Sequence, residues 1–159
     1  MTDPDPADHA TGVRITKDLS WAAASGATSY DVYFGTISPG APQGSQSETT
    51  FDPGTMYPLT QYFWRIDSIN EAGTTTGDVW EFTTGPIPGD FDADQDVDQQ
   101  DFGHLQECLT GSGVAQTDPN CQDALLDDDN DVDQDDFGIF QSCTSGANVP
   151  ADWRCAQGG

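Results

Sequence analysis

From Leu19 to Thr84, apolar and polar residues alternate with a period of two, in runs cut short by turn residues. LSWAA, TSYDVYFG, TQYFWRIDSIN and DVWEFTT each predict a strand. In the second run Tyr30, Val32 and Phe34 fall on one face. In the third, Tyr62, Trp64 and Ile66 share a face, while Arg65 and Asp67 point the other way. The clusters ASGAT, SPGAPQG, DPGTMYP and NEAG separate the runs and predict turns. Short strands at this spacing predict an antiparallel β-sandwich. Its expected core is Leu19, Trp21, Tyr30, Val32, Phe34, Tyr62, Trp64, Ile66, Trp80 and Phe82.

Beyond Pro88 the period changes. DFGHLQECL and DFGIFQSC read as helices: Phe102, Leu105 and Leu109 fall at helical spacing, as do Phe137 and Phe140. Gly85-Pro86-Ile87-Pro88 joins the two patterns. Two prolines in four residues predict a short, stiff joint that holds the two parts in a fairly fixed orientation. The expected organisation is therefore multidomain: a mainly β domain over residues 1–86 and a small α-containing domain over 87–159.

Charge separates the halves further. The chain has 159 residues with 28 acidic and 4 basic side chains, a net charge of −24. Residues 87–159 carry 17 acidic residues against Arg154 alone, a net of −16. Such a surface argues against nucleic acid and anionic membranes as partners. No apolar run has membrane-spanning length, so no membrane insertion is expected. The opening MTDPDPADHA lacks the basic start and apolar centre of a signal peptide. An exported form of the protein has its leader removed or outside this chain.

The acidic half repeats itself. DVDQQDFGHLQEC (Asp96–Cys108) returns as DVDQDDFGIFQSC (Asp131–Cys143), offset by 35 residues. This predicts two copies of one loop–helix unit. Counted from Asp90, acidic residues occupy positions 1, 3, 5, 7, 9 and 12 of a twelve-residue loop. EF-hand calcium loops draw their ligands from these same positions. Asp90, Asp92, Asp94 and Asp101 are the candidate side-chain ligands. Asp96 is expected to offer its backbone carbonyl, and Asp98 to act directly or through water. Val97, at position 8, is expected to pair the loops through a short strand contact. Many hard oxygens in a flexible loop suit calcium better than magnesium. A solvated acidic surface is the competing reading of any single acidic run; two registered copies, each followed by a helix, argue against it.

In the second copy, Asp127, Asp129, Asp131, Asp133 and Asp136 keep the register, but Leu125 stands at position 1. Two calcium sites are expected, the second weaker or incomplete unless Asp123 or water fills the gap. The cysteines follow the repeat. Four allow three connectivities, and repeat symmetry favours Cys108–Cys121 and Cys143–Cys155. Loops of this size each contribute roughly 3 kcal/mol when closed. Disulfides together with calcium point to an extracellular or cell-surface location.

The stretch MYPLTQY (Met56–Tyr62) resembles the L-x-P-x-T-x-Y corner of fibronectin type III domains, with Met56 in place of Leu. Trp21 and NEAG (Asn70–Gly73) fit the same family, and the resemblance spans roughly residues 10–84. It implies a sandwich whose tyrosine hydroxyl reaches back to the corner backbone. Asp at position 12, and a single helix after each loop, resemble dockerin domains over about residues 89–145. That resemblance implies a cohesin-like protein partner, recognised through loop positions 10 and 11 and the following helix. Those positions are Gln99, Gln100, Gln134 and Asp135, and they differ from the Ser/Thr pair of the best-known cellulosomal members.

No nucleophile–base order or phosphate loop is present, His9 and His104 read as surface or packing residues, and no enzymatic activity is expected. The leading expectation is an extracellular, calcium-stabilised interaction or anchoring module on a β-sandwich spacer. One alternative is a repeating subunit of an extracellular filament, binding copies of itself; it rests on the stiff joint and the Pro/Asp-rich N-terminal segment. Another is a carbohydrate-binding accessory module that uses Tyr33 and Phe63.

Overall fold

The computed structural model describes residues 3–127 and 129–155. The chain divides into two units, residues 1–85 and 86–159.

The first unit has eight strands: β1 (Ala10–Val13), β2 (Leu19–Ser20), β3 (Ser29–Gly35), β4 (Ala41–Gln46), β5 (Thr50–Phe51), β6 (Gln61–Asn70), β7 (Gly73–Thr75) and β8 (Val79–Thr84). The main sheet has the order β1-β8-β6-β3-β4, with β7 added to β6; β2 and β5 form a second, two-stranded sheet. The period-two alternation becomes the burial pattern of β3, β6 and β8. Every second side chain is buried in β3, in β8 and in β6 as far as Ile66, because successive residues of a strand face opposite sides; Asp67, next in β6, is buried as well. All ten expected core residues are buried in one cluster, joined by Met56. Trp64 and Ile66 are fully enclosed, and Phe34 stacks on Tyr62 with ring centroids 4.9 Å apart. Burying each large apolar side chain contributes about 1.5–3 kcal/mol.

Three expectations need correction. The sandwich is not purely antiparallel: β1 runs parallel to β8, with Ala10 opposite Phe82. Its second sheet is also only two residues deep per strand. SPGAPQG is not simply a turn, since APQGSQ forms β4 against β3. Proline and glycine are tolerated there because β4 is an exposed edge strand. Gly40 turns the chain into it at φ +98°, where a Cβ would lie 2.6 Å from the Phe34 nitrogen. The tyrosine corner is present, with the Tyr57 amide donating to the Tyr62 hydroxyl at 2.9 Å.

The second unit contains α1 (Gln99–Cys108), a short 3-10 helix (Pro119–Ala124) and α2 (Gln134–Cys143). Leu105, Val97, Val132, Phe140 and Ala124 form its buried centre, with Ile87. Leu109 falls outside α1 and is half exposed, contrary to its expected place on the helical face. The two disulfides join Cys108 to Cys121 and Cys143 to Cys155. Among the described residues, no helix is long and apolar enough to cross a membrane.

Candidate metal centre

Each acidic loop closes on its own last residue. Asp101, at position 12, is buried; it accepts the amide of Phe91 at 2.7 Å on one oxygen and that of Asp98 at 2.9 Å on the other. Asp136 repeats this with the amides of Leu126 (2.6 Å) and Asp133 (2.8 Å). In return, Asp98 and Asp133 cap the helices, accepting the amides of Gln100 and Asp135. Each helix therefore starts in a reciprocal capping box. In the sequence the signal for these caps is D-x-x-D at Asp98–Asp101 and Asp133–Asp136, residues that also fit the ligand register.

Inside the first loop the carboxylates turn inward along the chain. Asp90 is buried and accepts from the amides of Asp94 (3.1 Å) and Gln95 (3.2 Å). Asp94 accepts from the Asp96 amide at 3.0 Å. Gln95, at position 6, takes φ +78° without being glycine; its amide and carbonyl are both bonded, to Asp90 and to the Ala151 amide. One oxygen each from Asp90, Asp92 and Asp94 lie within 4.8 Å of one another, and so do oxygens of Asp96, Asp98 and Asp101. In the second loop the same holds for Asp127, Asp129 and Asp136. Like charges at about 4 Å repel by roughly 4 kcal/mol at a surface-like dielectric. Accordingly, burial and then the neighbouring carboxylates of Asp101 and Asp94 raise the Asp90 carboxyl above its ordinary value. Asp96 and Asp127 are raised in the same way, with burial foremost.

The second loop lacks this arrangement at position 1. Asp123 does not fill the gap left by Leu125: its carboxylate pairs with His104 Nε2 at 2.9 Å. His104 also packs its ring against Phe91, at 4.7 Å.

The loops do not pair through Val97 as expected. Each position 8 is held instead by the segment that follows the other copy's helix. The Val97 carbonyl accepts the amides of Ser145 and Gly146, and its amide donates to Ser145 Oγ. The Val132 carbonyl accepts the amides of Thr110 and Gly111, and its amide donates to Thr110 Oγ1. Ala151 N–H bonds the Gln95 carbonyl, as Gln116 N–H bonds that of Asn130. The exchange extends to position 7, where Asp96 Oδ2 accepts the Asn148 amide and Asp131 Oδ2 the Gly113 amide. Every partner in one set lies 35 residues from its counterpart in the other. The physical reason is local. The segment after each helix is closed into a disulfide loop and offers its amides where strand pairing would otherwise have to supply them.

Gln99, Gln100, Gln134 and Asp135 are exposed in the first turns of α1 and α2. Gln100 Nε2 donates to Asp92 Oδ2 at 2.9 Å, so it is tied to a candidate ligand. Gln134 borders a groove of about 470 Å³ with Phe102, Leu109 and Phe137. Gln99 borders its repeat-related counterpart, about 540 Å³, with Phe102, Phe137 and Thr144. The Phe102 and Phe137 rings, 5.8 Å apart, separate the two. In the first unit, Tyr33 and Phe63 are half-buried, and the Arg65 guanidinium lies over the Tyr33 ring at 4.1 Å. His9 pairs with Glu81 at 3.1 Å.

No family model and no curated protein matches the chain. Among solved structures, it is similar to "FN3tt mut" at 20% identity, over 43% of this chain and 73% of that one (TM-score 0.36). It is similar to the fibronectin type-III domain of human fibronectin type III domain containing protein 3 at 22% identity, over 49% and 81% (TM-score 0.38). It is also similar to an α-L-rhamnosidase from Dictyoglumus thermophilum at 18% identity; there the match covers 52% of this chain but only 12% of the rhamnosidase (TM-score 0.43).

Proposed function

We propose that the chain is an extracellular, non-catalytic binding module in which a fibronectin type III-like sandwich carries a calcium-stabilised, dockerin-like unit. The observation that carries this reading is the convergence of carboxylate oxygens from alternate residues, Asp90, Asp92 and Asp94, within 4.8 Å in a loop closed by Asp101. Carboxylates gathered this closely, with Asp90 buried and Asp92 and Asp94 exposed, repel one another when left alone and are favourable around a divalent cation. The donor set is all oxygen and flexible, which fits calcium. Asp90, Asp92, Asp94, Asp98 and Asp101 would hold the first ion, with the Asp96 carbonyl. Asp127, Asp129, Asp133 and Asp136 would hold a weaker second, with the Asp131 carbonyl, because Leu125 supplies no oxygen at position 1. The bound ion supplies charge neutralisation and order.

The two disulfides support an oxidising location outside the cytosol. The apolar grooves beside Phe102 and Phe137 support a protein partner.

The test is calcium titration of the chelator-stripped full chain by calorimetry, with thermal melts in both states. The expected result is two binding events, the first tighter. The melting transition of the acidic unit rises with calcium, by roughly 3–4 kcal/mol of stability at concentrations 100 to 1,000 times the dissociation constant. The transition of the sandwich stays in place. Absence of binding heat together with superimposable melts overturns the reading.

A further inference from the structure

Position 7 of each loop holds an atom that the calcium reading above does not use. Asp96 is 5% exposed and Asp131 is 4% exposed. In both, Oδ2 is bonded across the unit, to the Asn148 amide and to the Gly113 amide respectively. In both, Oδ1 is buried and has no hydrogen-bond partner. An unsatisfied buried carboxylate oxygen is expensive, and native proteins seldom leave one without a proton, a water or a cation. The same orphan occurs at the same place in both copies, which differ at loop positions 1, 2, 4, 6 and 11. Asp96 also lies in a carboxylate cluster, with one oxygen from each of Asp96, Asp98 and Asp101 within 4.8 Å of the others. It lines a polar hollow of about 360 Å³ with Asp94, Gln95, Asn148 and Pro150.

We propose that Asp96, and Asp131 by the repeat, are cation ligands through their side chains as well as through the backbone, with Oδ1 on the ion and Oδ2 on the amide of the opposite disulfide loop. Each position-7 aspartate then bridges two things: the ion of its own loop and the segment closed by the other copy's disulfide. Ion binding in the first loop orders the segment around Asn148 and Ala151. Ion binding in the second orders the segment around Gly113 and Gln116. This inference rests on the calcium reading and adds to it a carboxylate per site and a route between the two copies.

The experiment uses the full chain with terbium(III) as a luminescent substitute for calcium. Luminescence lifetimes in H₂O and D₂O count the waters on the ion. Asp96→Asn keeps an acceptor for the Asn148 amide and nearly the same volume, and Asp96→Ala removes both oxygens. Asp152→Asn removes one charge outside the clusters and serves as the control. The expected result is about one additional bound water in Asp96→Ala and a roughly tenfold weaker first site in Asp96→Asn, with the control unchanged. Amide exchange at Asn148 and Ala151 should slow when the wild-type chain takes up calcium, and respond far less in Asp96→Ala. An unchanged water count in a variant that still binds terbium overturns this proposal and leaves the calcium reading standing. Failure of the wild-type chain to bind either ion overturns both.

Discussion

The two units solve the same problem with opposite materials. The sandwich encloses Leu19, Trp64, Ile66 and Phe82 in a core that excludes water. The acidic unit has a smaller apolar centre, and it buries Asp90, Asp96, Asp101, Asp131 and Asp136 around it. In the first unit, burial itself supplies the driving force. In the second, backbone amides, two disulfides and the proposed ions hold together groups that water would otherwise separate. The lesson is that burial of a side chain does not say which force put it there: Trp64 and Asp136 are equally enclosed, for different reasons.

The strongest way to break this contrast is to open a cavity in the sandwich. Trp64→Ala removes a fully buried ring that packs on Trp80 at 4.7 Å and on Trp21 at 6.4 Å. The expected loss is about 3–5 kcal/mol in chemical denaturation of the first unit. Calcium titration of the acidic unit should be unchanged. A parallel loss of calcium affinity would show that the units are energetically one.

The next perturbation belongs to the acidic unit. Replacing Cys143 and Cys155 by Ser opens a loop with a separation of 12 residues in sequence. It should cost roughly 3 kcal/mol, read as a fall in the second transition only. Because the segment it closes holds Val97 and Asp96, the proposed calcium affinity of the first acidic loop should fall more than that of the second. Equal weakening of both loops would contradict the crossed arrangement.

The pH response should then differ in sign between the two ionic states. Asp90, Asp96 and Asp127 have carboxyl groups raised in the folded, ion-free chain, chiefly by burial. A raised carboxyl binds its proton more tightly when folded. Its contribution is complete below the ordinary carboxylate range and is lost as pH rises through the raised values. The chelated acidic unit should therefore melt higher near pH 4 than at pH 7. With calcium present the order should reverse, because protons compete with the ion for the same oxygens. Melts in both buffers, with and without chelator, decide it.

How much of this was legible in the sequence follows the same division. Period-two alternation located the core because burial in a sheet is a local pattern, and all ten expected residues are in it. The edge strand β4 was missed, because an exposed edge carries no apolar alternation; APQGSQ reads as a turn until a neighbour pairs with it. In the acidic half, the 35-residue repeat was visible from spacing, and its symmetry favoured the observed cysteine pairs among three connectivities. The crossed bonding of Val97 to Ser145 and of Val132 to Thr110 was not, since backbone amides leave no mark on side-chain identity. Nor did the sequence mark Asp101 as the residue that closes its loop by accepting the Phe91 and Asp98 amides, because an aspartate at position 12 reads equally as a candidate ligand.

The smallest expected effect tests the feature that the sequence marked most plainly in the sandwich. Tyr62→Phe keeps the ring stacked on Phe34 and deletes the hydroxyl that accepts the Tyr57 amide at 2.9 Å. That bond fixes the corner at which Met56 enters the core and Thr60 leads into β6. Losing it leaves a partly buried amide without this acceptor, at a cost of about 1 kcal/mol. Denaturant midpoints for the first unit should fall accordingly with no change in slope, while calcium affinity stays constant. A loss as large as that of Trp64→Ala would mean that the corner, more than the aromatic core, holds the sandwich together. The contrast between an apolar unit and a polar one would then have to be redrawn around hydrogen bonds in both.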